Sequence, residues 1–323
     1  MEKILVTRRI PQKFVERLET LGEVEMWDHE LTPMPREKFI AAVQDKTAIL
    51  VTLSEKIDAT LFEAEAAPNL KIVANMAVGF DNIDLQAAAQ HEVEISNTPH
   101  VLTETTAELG FALMMATSRR IVEAEKYVQD GKWESWGPYL LAGKDIYQSK
   151  VGIYGMGEIG RAFARRLKGF HADILYHNRS RNIQAEQELG AFYTSFDKLI
   201  KESDFVICTA PSTPDTQNKF NKEVFKNMRK DAIFINIGRG DLVVEEDLVE
   251  AIETGEIAGC GLDVVRDEPI RTDHPLLQYP NVIVTPHIGS ATVLTRDQMI
   301  QTCLLNIKDV LEGQKPRNQV KMG

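Results

Sequence analysis

The stretch 150–170, KVGIYGMGEIGRAFARRLKGF, constrains this chain more than any other. A short apolar run ends at Tyr154. The turn Gly155-Met156-Gly157-Glu158-Ile159-Gly160 follows, and Phe163, Leu167 and Phe170 then share one helical face. Strand, glycine turn and helix in that order are the fingerprint of a dinucleotide-binding βαβ unit. Gly155 suits the tight turn, Gly157 lets a pyrophosphate approach the backbone, and Gly160 lets the helix pack on its strand. The free N–H groups and positive dipole end of the helix then face the phosphates. The alternative is a plain glycine-rich turn, and the flanking strand and helix favour the dinucleotide site.

A chain of 323 residues allows roughly two domains and a large core without covalent staples. The net charge of −11 disfavours nucleic acid and anionic membrane as partners, since both call for a basic face. A small anionic substrate needs only local arginines. Cys208, Cys260 and Cys303 are scattered in apolar contexts, so buried thiols in a reducing compartment are expected. Met1-Glu2-Lys3 leads straight into Ile4–Val6, no signal peptide is expected, and no apolar run reaches the ~20 residues of a membrane span. A cytoplasmic enzyme is expected, and no metal site.

Strand and helix alternate from the start. Strands are predicted at 3–8, 24–27, 48–52, 70–74 and 94–97, and helices at 11–21, 36–43 and 59–66. This pattern makes residues 1–98 an α/β unit with a mostly parallel sheet and no GxGxxG of its own. The spacing predicts a long bridging helix over 103–120, preceded by a hinge at Asn97-Thr98-Pro99. Residues 130–148 are irregular, and Trp133 and Trp136 in that loop point to an interface or the mouth of a site. Further strands are expected at 173–177, 205–210, 232–237, 258–264 and 282–285, and helices at 184–190, 245–254 and 291–312. Residues from about 100 to 287 then form a doubly wound sheet.

In NAD-binding versions of this unit an acidic residue ends the second strand and holds the ribose 2′-hydroxyl. Here that strand ends His177-Asn178-Arg179-Ser180-Arg181, with no acid. Two arginines can clasp a 2′-phosphate that a carboxylate would repel, and Ser180 adds a donor. Solvated loop arginines are the bland reading. Their place where the acid belongs favours NADP(H), with NAD(H) still possible.

Three later segments each follow a predicted strand: 237–240, 261–269 and 285–290. Ligands bind at such carboxyl ends of strands in an open α/β sheet. The segments supply Arg239, Glu268 and His287. Reducing a 2-keto acid calls for these groups. A guanidinium grips the carboxylate, an imidazole protonates the keto oxygen, and a carboxylate keeps that imidazole charged and oriented. Each residue alone is more often an ordinary loop residue than a catalytic one. No other histidine has a comparable setting.

Taken together, these segments resemble the D-isomer-specific 2-hydroxyacid dehydrogenases. The resemblance spans nearly the whole chain and rests on VGFDNID from Val78, LTETTAE from Leu102, the glycine turn, INIGRGDLVVEEDL from Ile235, GLDVVRDEP from Gly261 and TPHIGSAT from Thr285. Trp133-Glu134-Ser135-Trp136, HNRSR and HIGSAT are most similar to the glyoxylate/hydroxypyruvate reductases. Phe80 departs from the smaller aliphatic residue usual there, and Val265-Arg266 from the usual aromatic and acidic pair.

The resemblance implies two doubly wound α/β domains. A Rossmann-type cofactor domain, 99–287, is inserted into a flavodoxin-like substrate domain, 1–98 with 288–323. It implies Arg239, Glu268 and His287 as catalytic residues. Leu53, Ser54, Val78, Gly79, Ser290 and Trp136 would join Arg239 and His287 around the substrate. Met156 to Ile159 would lie along the pyrophosphate and Asn178 to Arg181 at the adenosine ribose. Thr106, Pro211, Ile237, Gly238, Asp263 and Gly289 would contact the cofactor, Asp263 through the carboxamide. Trp136 resembles a tryptophan that reaches into the partner subunit, so a homodimer is expected.

The expected activity is NADPH-dependent reduction of small 2-keto acids, with closure about hinges near Pro99 and Pro286. A phosphoglycerate dehydrogenase is disfavoured by the missing ribose acid and because no C-terminal regulatory extension is expected. Glu268 disfavours a formate dehydrogenase. A non-catalytic, dinucleotide-sensing scaffold, as in related corepressors, would not need all three catalytic residues.

Overall fold

The computed structural model describes residues 1–63 and 66–321. It divides into two compact units, Met1–Leu102 with Thr292–Gly323, and Thr103–Ala291. The breaks fall at the starts of two helices, a few residues beyond the 98/99 and 287/288 boundaries expected from sequence.

The first unit begins with β1 (Lys3–Val6), α1 (Gln12–Glu19), β2 (Glu23–Met26), α2 (Arg36–Val43), β3 (Ala48–Val51) and α3 (Ala59–Phe62). It continues with β4 (Ile72–Asn75), α4 (Leu85–Gln90) and β5 (Glu94–Ser96). The expected helix 59–66 is cut at Phe62, and its residues 64 and 65 lie outside the described ones. The sheet is parallel in the order β2-β1-β3-β4-β5, the flavodoxin-like arrangement. Successive strand residues point to opposite faces. Ile4, Val6, Leu50 and Ile72 therefore pack with Phe14 and Leu18 of α1. Leu5, Ile49, Val51 and Val73 pack with Phe39, Leu61 and Ala88 on the other face.

The second unit opens with α5 (Thr103–Ser118) and α6 (Ile121–Gln129). Then come β6 (Lys150–Tyr154), α7 (Glu158–Leu167), β7 (Asp173–His177), α8 (Ile183–Leu189), β8 (Phe192–Tyr193) and α9 (Phe196–Glu202). It ends with β9 (Phe205–Cys208), α10 (Lys222–Asn227), β10 (Ile233–Asn236), α11 (Glu245–Glu253), β11 (Gly259–Leu262) and β12 (Val282–Val284). α12 (Val293–Leu311) returns to the first unit, where Ile300, Cys303, Leu304 and Ile307 join the face covered by α1.

The seven-stranded sheet runs β12-β11-β10-β9-β6-β7-β8, all parallel. The order reverses between β6 and β9, where a doubly wound sheet opens its ligand crevice. α5, α7 and α8 cover one face through Leu113, Phe163, Leu167 and Ala185. α9, α10 and α11 cover the other through Leu199, Phe225 and Leu248. Helices α4, α6, α9 and α10 and the two-residue β8 are not among the elements expected from sequence, although Ser195 caps α9 and Phe196, Leu199 and Ile200 share its apolar face. α6 buries no residue and is split from α5 by Arg120 in the left-handed region. The short α10 is started by a cap, Asn221 Oδ1 accepting from Val224 N.

Among the described residues no helix is long and apolar enough to cross a membrane. None of their His, Cys, Asp or Glu side chains group in a way that would hold a metal. All three cysteines are buried and free, and burial pushes the Cys208 thiol up to about 12.

Candidate active site and dinucleotide turn

The glycine turn joins β6 to α7 beside the end of β9. Gly155 has φ +105°, and a Cβ there would lie 2.6 Å from Ala210 N. A Cβ on Gly160 would lie 2.2 Å from the Gly155 carbonyl oxygen, so α7 is seated directly on the turn. Gly157 is exposed and a Cβ there would meet nothing, which leaves open approach to the first amides of α7. This cradle fits a pyrophosphate. Glu158, exposed in the first turn of α7, accepts a 3.1 Å hydrogen bond from Thr103 Oγ1. Ile159 is half-buried and packs on the core.

Two asparagines hold the Met156 peptide. Its N–H donates to Asn178 Oδ1 at 2.7 Å and its carbonyl accepts from Asn182 Nδ2 at 2.8 Å. Asn178, expected at the ribose, therefore braces the turn with its side chain. Asn182 was not singled out from sequence. It also caps α8 through Ala185 N, and that cap is the signal that could have found it.

The two arginines of the HNRSR segment differ. Arg181 lies against Glu186 of α8, with Nε 3.0 Å from Oε1 and Nη2 on Oε2. Glu186 is also held by Tyr176 Oη at 2.6 Å. Arg179 and Ser180 are exposed at the end of β7. Along the sequence Arg179 and Arg181 are equivalent, because the Glu186 that distinguishes them lies a helix turn further on.

At the end of β10, Ile237 is buried, Gly238 is buried where a Cβ would lie 2.6 Å from the Ala210 carbonyl oxygen, and Arg239 is half-buried. Arg239 Nη1 donates to the Gly238 carbonyl at 2.9 Å. Asn236, fully buried, clips this turn. Its Nδ2 donates to the Arg239 carbonyl at 2.9 Å and its Oδ1 accepts from Gly238 N at 3.0 Å. Asn236 sits in an otherwise apolar strand, and a lone amide in such a run is itself a signal. Pro211, beyond β9, is exposed.

At the ends of β11 and β12, His287 Nδ1 lies 2.8 Å from Glu268 Oε2, both side chains partly exposed. Since the carboxylate only accepts, Nδ1 carries the hydrogen and Nε2 is the nitrogen left for a ligand. His287 has φ +53°. For a non-glycine residue this costs about 1–2 kcal/mol and needs external support. Asp263 provides it. Its carbonyl accepts from His287 N at 3.0 Å. Its Oδ1 accepts from Thr285 Oγ1 at 2.7 Å and Ile288 N at 2.8 Å, and its Oδ2 from Gly289 N at 2.8 Å. Burial pushes the Asp263 carboxyl up, while those donors work the other way. Asp263 thus spends its hydrogen bonds on the histidine loop. Gly289 packs against Asp263 and the buried Thr106 of α5, and Ser290 is half-buried.

In the first unit, the loop after β3 leaves Leu53 and Ser54 exposed. Buried Glu55 holds this loop through Thr52 N at 2.7 Å and an ion pair with Arg8 at 2.7 Å. Ser54 Oγ accepts from Arg8 Nη2 at 2.8 Å. After β4, Val78 and Gly79 are half-buried. Their carbonyls accept from Asn97 Nδ2 and Asn75 Nδ2, each at 2.9 Å. Neither asparagine was assigned this role from sequence. Trp136 is 80% exposed and Trp133 60%, in an irregular loop of the second unit.

Strand order and glycine turn define a dinucleotide-binding α/β protein. Residues 111–289 match the family model for the NAD binding domain of D-isomer specific 2-hydroxyacid dehydrogenases. The glyoxylate reductase of Thermococcus onnurineus is 44% identical over 320 residues, spanning 97% of this chain and 94% of that protein. The crystal structure of the TT0316 protein from Thermus thermophilus superposes with a TM-score of 0.92 at 39% identity, covering 99% of this chain and 100% of the other. The NADPH-dependent glyoxylate/hydroxypyruvate reductase of Sinorhizobium meliloti, in complex with NADP and malonate, has a TM-score of 0.85 at 33% identity, covering 99% and 96%. The chain belongs to the D-isomer specific 2-hydroxyacid dehydrogenase family.

Proposed function

We propose that this protein reduces small 2-keto acids, glyoxylate and hydroxypyruvate, to 2-hydroxy acids with NADPH. The observation that carries the reading is the His287–Glu268 pair, 2.8 Å apart, at the sheet edge that also bears Arg239. A bound nicotinamide supplies the hydride. Arg239 grips the substrate carboxylate as a fixed cation. His287 delivers the proton on Nε2 to the keto oxygen, and Glu268 on Nδ1 stabilises the imidazolium that precedes transfer. Leu53, Ser54, Val78, Gly79, Ser290 and Trp136 are read as further substrate contacts.

The NADPH preference rests on the missing acid after β7 and on the exposed Arg179 and Ser180. Arg179 takes the 2′-phosphate first, with Arg181 turned from Glu186 or held beside it. The Sinorhizobium relative, NADPH-dependent by name, supports this assignment. The exposed Trp133, Trp136 and Tyr139 support a homodimer, to be read from the sedimentation coefficient.

The test is absorbance loss of NADPH and of NADH with glyoxylate and with hydroxypyruvate. Faster loss with NADPH is expected, and Arg179→Ala should reduce that preference more than Arg181→Ala. A clear NADH preference overturns the cofactor assignment, and no turnover with either acid overturns the reaction.

A further inference from the structure

We propose that Arg266 is a positioning residue that clamps the loop carrying Glu268 to the turn that follows Arg239. Its catalytic consequence rests on the reading of Glu268 as the partner of His287 given above. The loop after β11 has no regular structure, and residues 266–269 are exposed. Such a segment does not hold a carboxylate on an imidazole unless something ties it down.

Four contacts do so. Arg266 Nη2 donates to the Val243 carbonyl and to Asn218 Oδ1, each at 2.5 Å. The Arg266 N–H donates to Glu245 Oε1 at 2.6 Å, and the other oxygen of Glu245 lies 3.2 Å from His274 Nε2. Next along the chain, Val265 N donates to Glu268 Oε1 at 3.3 Å. Beneath them, Gly240 lies so close that a Cβ would fall 1.9 Å from the Val265 carbonyl. Arg239 and Val243 flank the short 3₁₀ turn Gly240–Leu242 at its two ends. One guanidinium therefore cross-links the segments bearing two of the three proposed catalytic groups.

An acidic side chain at this position would have no hydrogen to give the Val243 carbonyl. A lysine offers a point charge without the planar fork.

The experiment pairs substrate kinetics with amide hydrogen exchange on the full-length protein. Arg266→Ala should speed exchange at Val265 and Arg266 by about tenfold and leave β10 and β11 unchanged. It should lower kcat roughly ten- to a hundredfold, with KM nearly constant. Arg266→Lys should recover part of the loss. In a Glu268→Gln background, Arg266→Ala should cost nothing further, because its effect passes through Glu268. Unchanged exchange, an unchanged kcat, or a full further loss in the Glu268→Gln background each overturns the proposal. A wild-type protein without keto-acid turnover overturns the reaction and with it the catalytic role of Arg266, while exchange decides the clamp.

Discussion

Asp263 shows how one buried side chain can organise a site that it does not advertise. Both of its oxygens and its carbonyl are spent on residues 285–289, and the loop between them holds His287 at positive φ. Asp263→Ala leaves two amides and a hydroxyl without their acceptor, each worth about 1–3 kcal/mol if it stays buried. The loop is expected to relax, releasing His287 toward ordinary backbone angles. Activity should then fall close to the level of His287→Ala, for which a loss of roughly 10² to 10⁴ in kcat is expected. Steady-state kinetics on both variants checks this. A near-normal His287→Ala enzyme would remove the histidine from the chemistry. A near-normal Asp263→Ala enzyme would show that the loop holds itself.

For the elements, the informative contrast lies within the glycine turn. A Cβ at Gly160 would press α7 off the Gly155 carbonyl at 2.2 Å, whereas one at Gly157 would meet nothing. Gly160→Ala should cost about 1–3 kcal/mol of stability, the usual penalty of overpacking, and also weaken cofactor binding. Gly157→Ala should unfold like the wild type and lose cofactor affinity alone. Urea unfolding and NADPH fluorescence titration separate the two. Equal stability losses would mean that the turn acts only as a packing device. α7 is further tied to α5 by Arg165 and Arg166 on Glu104, both at 2.9 Å. Such exposed pairs contribute little beside the buried Ala162, Phe163 and Leu167.

At the scale of the whole molecule, one contribution to acid sensitivity is expected from the irregular segment before β6. Lys144 Nζ lies 2.9 Å from Asp204 and 2.8 Å from Asp231. The hydrogen bond from Lys144 holds the Asp231 carboxyl at about 2, against an ordinary 3.8. Burial raises Asp204, but the Lys150 amide and Lys144 bring it below its ordinary value. Carboxyls depressed in this way stabilise the fold above pH ~4, and the contribution fades as pH falls toward about 2. Lys144→Ala should therefore be less stable than wild type near neutral pH, modestly because Asp231 is 57% exposed, and the gap should close in acid. Thermal unfolding at several pH values tests it, and a gap independent of pH would assign the loss to packing. The amino-acid sequence alone determined the glycine turn, the alternation that builds two parallel sheets, and the loops bearing Arg239, Glu268 and His287, because each is written in residues adjacent along the chain. Only the tertiary structure decided that Arg181 is occupied by Glu186, that Asn236 and Asp263 shape the turns beside the candidate catalytic groups, and that Arg266 reaches Val243. Those contacts join segments whose proximity is set by strand order and helix packing, and no local pattern records which donor meets which acceptor.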